Sequence, residues 1–327
     1  KRHYAALVGE DPKCGRRQDH HLTEGDQRGD YPRFVPKVAR KDPAREEIMY
    51  FRDDYRVTPG FYRFALGDVT KGGERDEEFE IRTPNEGAPA FSEAGDVLFG
   101  STAFYKNIYG RTDIHSVRKG ETSKSGSGGR TQLTHGLRAT QPDVSPDGRL
   151  VAFAVNKMGT TTLTLADRDV DGALSNVRPV VAGEVYDQVY SPRFSPDGKQ
   201  LAYSAWSRGG FRDIRIVDLK TGKSRDVTRD RSLDMQPEWS SDGKSLYFSS
   251  DRTGIFNIYR IDLATGDTKL VTNVHNGALA PTVSADGKQL VYLGYTHQGF
   301  DLYAMPIVED RLLSAPPPPE DRAEPYA

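Results

Sequence analysis

SPRFSPDGKQLAYSA, residues 191–205, sets a proline before a short apolar segment, then Ser-Pro-Asp-Gly, then a second apolar run. Pro196 fixes φ at the second position of a tight turn, and Gly198 accepts the positive φ that reverses the chain. The flanks therefore read as two antiparallel strands. Residues 192–195 suit a buried strand entered at a proline, and 200–205, with Leu201, Ala202 and Tyr203, a strand sealed on both faces. Downstream, DIRIVDL (213–219) supplies a third strand, KTGK a second hairpin turn, and 224–228 a polar outer strand. One unit is thus four antiparallel strands, graded from buried to wet.

The unit recurs. PDVSPDGRLVAFA starts at Pro142, PEWSSDGKSLYFSS at Pro237, PTVSADGKQLVYLG at Pro281, and a worn copy, PAFSEAGDVLFGS, at Pro89. The leading prolines lie 53, 50, 45 and 44 residues apart, a period that belongs to propellers and other repeat arrays. Upstream, YPRF (31–34) and EEIMYFRDDYRVTPGFYRFALGDVTKG (46–72) fit another unit. The reading is an all-β, six-bladed β-propeller of four-stranded antiparallel blades, at 31–83, 88–135, 141–183, 191–228, 236–272 and 280–307. The last unit lacks an outer strand, and the spare apolar segment HYAALV (3–8) is expected to complete it and close the ring. The chain then divides into an N-terminal extension (1–30), the propeller (31–307) and a Pro-rich linker or tail (308–327). RKGETSKSGSGGRT (118–131) reads as a flexible insertion, and KGGERDEEFE (71–80) as a solvated turn and rim strand.

Composition narrows the function classes. A net charge of −2 gives no electrostatic reason for nucleic acid or an anionic membrane as partner. No run approaches the ~20 apolar residues of a spanning helix, so no direct membrane insertion is expected. Cys14 stands alone, which leaves no internal disulfide.

The repeated Pro-x-aromatic-Ser-x-Asp-Gly-Lys, with SSDRTGIFNIYRIDLATG (249–266), resembles the TolB-type propeller repeat, a WD40-like Ser-Pro-Asp-Gly family, over about residues 31–307. The resemblance implies a periplasmic or otherwise exported, non-enzymatic module of a bacterial cell envelope. Its partner would be a protein or peptide, such as an envelope lipoprotein or a membrane protein. That family carries an α/β domain before its propeller, which residues 1–45 do not match. Similar repeats occur in propellers of peptidases of the prolyl oligopeptidase type and in large outer-membrane proteins. The alternative is therefore the propeller of a carbohydrate-active or peptidase-type enzyme, or the soluble part of a larger outer-membrane protein.

Catalytic signatures do not emerge. No Gly-x-Ser-x-Gly elbow is present, and none of the seven histidines has a zinc-type spacing. No catalytic residue and no cofactor is assigned. One stretch, DRDVDGALS (167–175), places Asp167, Asp169 and Asp171 at alternate positions, then Gly172 and Ser175, a pattern that can wrap oxygens around Ca²⁺.

Binding is expected where long loops gather. The Ser-x-Asp-Gly and Thr-Gly hairpins share one face and are short. The opposite face carries the connections between strands two and three and between blades, rich in aromatic and Arg side chains. The candidate residues are Arg52, Tyr55 and Phe61 of blade one, and Phe104 and Tyr105 of blade two. Tyr186 and Tyr190 precede blade four, whose loop adds Trp206, Arg208 and Phe211; Asp234, Met235, Arg252, His275, Tyr295 and His297 follow.

Overall fold

Strand two of each repeat is apolar at consecutive positions because both of its faces are covered. In blade one, Ile48 and Tyr50 pack with Val291, Leu293 and Leu302 of blade six, whereas Met49 and Phe51 pack with Val97 and Phe99 of blade two. Successive side chains of a strand point to opposite faces, so one strand feeds two seams. The computed structural model describes residues 20–21, 29–53, 57–66, 77–85, 87–105, 109–125, 128–181, 184–296 and 299–318. Its strands form six antiparallel sheets in chain order. Each of the six apolar clusters lies between two successive sheets, and one of them joins blade six back to blade one. The fold is a six-bladed β-propeller.

The blades run 29–82, 90–132, 139–181, 188–226, 234–270 and 278–306, close to the spans expected from the repeats. The outer strand of the sixth sheet is His20–His21, which pairs antiparallel with Tyr303 and Ala304. Segment 3–8, expected in that place, lies outside the described residues. Blade five gains a fifth strand: Leu313–Ser314 pairs with Lys269 and Leu270. Residues 308–315, read from sequence as the start of a linker, are therefore held at the rim, with Leu313 and Ala315 against blade five and Arg260 in a two-point ion pair with Glu309. The 118–131 insertion is also anchored: Ser123 is buried and exchanges backbone hydrogen bonds with Glu80 and Arg82 of blade one. In the 71–80 stretch, the expected solvated rim strand is wet only in part. Glu80 is buried against Arg63 at 3.0 Å and Lys41 at 2.9 Å, and Glu77 pairs with Arg52.

Two small polar devices repeat with the blades. At the first hairpin, the hydroxyls of Ser145, Ser195, Ser240 and Ser284 each donate to the Asp two residues on, at 2.6–2.7 Å, and accept an amide from the start of strand two. The turn glycines Gly148, Gly198, Gly243 and Gly287 all have φ of 70–71°. At the blade rim, Thr134, Thr228 and Thr272 accept the amides of Ile114, Ile214 and Ile258 at 2.8–2.9 Å, tying strand four to strand three.

If the ring is closed, the seam between blades six and one should be as costly to damage as any other. Ile48→Ala there and Leu201→Ala between blades three and four should each remove about 2–5 kcal/mol of unfolding free energy in urea melts. A near-neutral Ile48→Ala would indicate an open stack. Truncation of residues 1–25, which removes the outer strand of blade six, should lower Tm.

Candidate functional site

In every blade but the second, the inner strand is bulged at its proline. Ladder register shifts there in five blades, and the preceding residues Tyr31, Gln141, Ser191, Gln236 and Ala280 all have φ of 49–54°. Positive φ is uncommon for non-glycine residues, and here it falls at the bulge that precedes each of these prolines. Neighbouring blades brace the strained residue. Gln141 accepts the Ser191 amide and Gln236 the Ala280 amide, both at 2.8 Å.

In four blades the residue after the proline, Arg33, Asp143, Arg193 or Glu238, meets its counterparts on the axis. Arg33 of blade one donates to Glu238 of blade five, and to Asp143 of blade three at 3.2 Å. Blade one borders neither of those blades in a six-membered ring, so its guanidinium spans the axis. Arg193 of blade four completes the group, 3.4 Å from Glu238 and 4.0 Å from Asp143. Asp143 also accepts the Phe194 amide at 2.8 Å, and Trp239 donates its indole N–H to the Arg193 carbonyl at 3.0 Å.

The group bars the channel. On the loop side remains a recess of about 20 Å³, lined by the bulge residues, with room for a single water. On the hairpin side opens a basin of about 280 Å³. Burial and the neighbouring Arg33 pull Arg193 down to about 10, and burial raises Asp143 against the pull of both arginines. For Arg33, burial opposes the charge, and Glu238 and Asp143 outweigh it, leaving the guanidinium raised.

The loop-face residues read from sequence fall into two groups. Phe104 and Tyr186 are each 76% exposed, Tyr295 49% and Trp206 43%, and Arg208 and His275 are exposed as well. Met158 and Val185, absent from that set, join Tyr186 on the outer surface of blades three and four. Thr160 accepts the Tyr186 amide at 2.9 Å, which fixes that connection to blade three.

The other residues serve packing. Phe61 fills the seam between blades one and two, and Phe211 is buried. Arg52 pairs with Glu77 at 3.1 Å and covers Tyr62. Tyr190 lies under Arg212, and Met235 is half-buried. Arg252 sits between Phe248 and Tyr259 and pairs with Asp230 at 3.6 Å and Asp234 at 3.4 Å. Tyr55, His297 and the Tyr105 side chain lie outside the described residues. Sequence does not separate the packing residues from the exposed ones, because the strand ends pass between core and solvent within two residues.

In the Asp-rich hairpin of blade three, Asp167 and Asp169 are partnered within the hairpin and Asp171 is exposed. Asp167 accepts from Arg178 at 2.8 Å and Asn176 at 2.9 Å, and Asp169 accepts the Ala173 amide at 2.8 Å, closing a turn at Gly172. Among the described residues, no three His, Cys, Asp or Glu side chains are grouped to hold a metal.

With this geometry in place, the class is clear: a closed propeller whose axis is barred by charge and whose loop face is aromatic. The TolB beta propeller domain matches residues 174–314, less than half of the chain, and over that stretch the chain is similar to TolB propellers. It is similar to a putative TolB from Agrobacterium tumefaciens (TM-score 0.52, 23% identity, 64% of this chain and 69% of that one). A puromycin hydrolase superimposes with TM-score 0.62 at 18% identity, over 88% of this chain and 45% of the hydrolase. In sequence, dipeptidyl-peptidase 5 of Porphyromonas gingivalis is 33% identical over 117 residues, 32% of this chain and 16% of that protein. The match thus spans under a fifth of that curated relative. Among the described residues, no helix is long and apolar enough to cross a membrane.

The buried Asp234 gives a pH signature. Burial pushes its carboxyl up to about 6, against the pull of Arg252 and with help from Asp230. The folded state then holds this proton more tightly than the unfolded chain, so the stabilisation present below about pH 4 is lost as pH rises through 6. Relative to Asp234→Asn, the wild type should lose on the order of 2 kcal/mol between pH 4 and pH 7 in urea melts. The hairpin acids act in the opposite sense. The Ser195 hydroxyl holds Asp197 below the usual range, as Ser145 does Asp147, so their contribution is lost only as pH falls below about 4.

Proposed function

We propose that the chain is a peptide- or protein-binding propeller that contributes recognition and not bond cleavage, with the partner held on its loop face. The observation that carries this reading is the exposure of Met158 on blade three, Val185 and Tyr186 in the connection to blade four, and Trp206 on blade four. Large apolar side chains exposed on the surface of a rigid frame are what a partner can cover without ordering the frame first. The TolB-like repeat supports an exported, periplasmic setting with an envelope lipoprotein or membrane protein as partner.

The peptidase relatives favour a second reading, in which the same face serves as the recognition module of a peptidase-type protein. Both readings assign recognition to the propeller, and the 327 residues contain no Gly-x-Ser-x-Gly elbow.

The test is partner capture. Immobilised protein should retain a defined set of envelope proteins or peptides, and the double variant Trp206→Ala, Arg208→Ala should retain them at least tenfold less. Equal capture by the variant would remove the face assignment. The purified 327-residue protein should release no fluorophore from dipeptidyl aminomethylcoumarin substrates, and release would place hydrolytic chemistry within these residues.

A further inference from the structure

The basin on the hairpin side lies opposite the loop face and is independent of the reading above. Its floor is the axial group of Arg33, Asp143, Arg193 and Glu238. Its wall is Phe34, Phe91, Val144, Phe194, Trp239 and Val283, one residue from each blade at the position before the repeat serine or its equivalent. At about 280 Å³ the space falls just under the ~300 Å³ at which small-molecule pockets usually begin, so it suits a ligand of one or two residues in size.

The hydrogen-bond inventory decides the sign of the ligand. Both oxygens of Asp143 are taken, by Arg33 and by the Phe194 amide. Glu238 receives Arg33 and Arg193 on one oxygen and lies 3.5 Å from the Thr282 hydroxyl on the other. The acids thus have little left to offer a cation. The arginines hold the surplus, since each guanidinium carries five N–H donors and no acceptor. The Nη1 group of Arg193 donates to the Pro192 carbonyl at 2.9 Å, its Nε faces Glu238 at 3.4 Å, and among the described residues its Nη2 group meets no acceptor. A half-paired guanidinium held in place beside a cavity is matched by a planar acceptor pair, which a carboxylate supplies.

We propose that this basin is a binding site for a small carboxylate with an apolar side chain, such as the C-terminal residue of a peptide, with the carboxylate on Arg193 and the side chain against Phe194 and Trp239. The ligand enters from the hairpin side, because the recess on the loop side holds no more than a water.

The probes are N-acetyl-L-leucine and its amide, titrated calorimetrically into the full chain. The acid should bind with millimolar or better affinity, and the amide at least tenfold more weakly. Arg193→Met should weaken the acid more than tenfold. Glu238→Gln, which removes the competing carboxylate, should tighten it at least threefold. The loop-face double variant Trp206→Ala, Arg208→Ala should bind it as the wild type does. Should Arg193→Met fail to fold, the Glu238→Gln titration decides. Equal binding of acid and amide, no binding of the acid at 10 mM, or an unchanged affinity in Glu238→Gln would each overturn the site.

Discussion

The structure depends on one constraint: a four-stranded blade this small has two apolar faces and no means of covering either by itself. Strand two shows it most plainly. Ile48 and Tyr50 serve one seam while Met49 and Phe51 serve the other, and all four are fully buried. A line of such blades would leave two faces open, so the arrangement is satisfied only when the sixth meets the first. That last meeting is built from residues as thoroughly buried as those elsewhere, including Val291 and Leu302. Burial at the inner strands continues outward until the rim strands become polar, as in Ser224–Asp226.

Closure then dictates what happens at the centre. Inner strands converge on the axis, and in five of the six blades the chain carries a bulge at the inner proline. The bulge turns the following side chain inward, and the ring assembles Arg33, Asp143, Arg193 and Glu238 from blades far apart in sequence. Burying four charges is favourable only where they are paired and hydrogen-bonded, and here the pairing runs across the ring as well as around it.

Much of the fold could be read from the repeat, because hairpin chemistry is local. The Ser-x-Asp-Gly turn needs only its own four residues and the following amide, so Ser195, Asp197 and Gly198 declare it in any context. The blade boundaries followed from that spacing. What the sequence concealed is relational. Arg33 and Asp143 are 110 residues apart, and nothing local to either says that they meet. The repeat does offer a signal: the position after each inner proline varies as Arg, Ala, Asp, Arg, Glu and Thr, while the residue that follows it stays apolar. The loop face was legible only in part. Trp206 lies near the end of one apolar second strand and Arg252 just past another, yet Trp206 emerges from the sheet while Arg252 folds back between Phe248 and Tyr259 to pair with Asp234. That choice is made by an acid at the start of the same blade's inner strand, which no local pattern shows.

The cross-axis pairing also determines how anything could move through the molecule. A propeller is often pictured as a pipe, but here Arg33 makes it a blind alley from either side. No polypeptide could be threaded from one face to the other without first drawing back that arginine and stranding two acids. Traffic into the hairpin-side hollow must leave by the mouth it entered, and news of an occupant could reach the far face only through the barrier itself, by shifting which acid Arg33 holds.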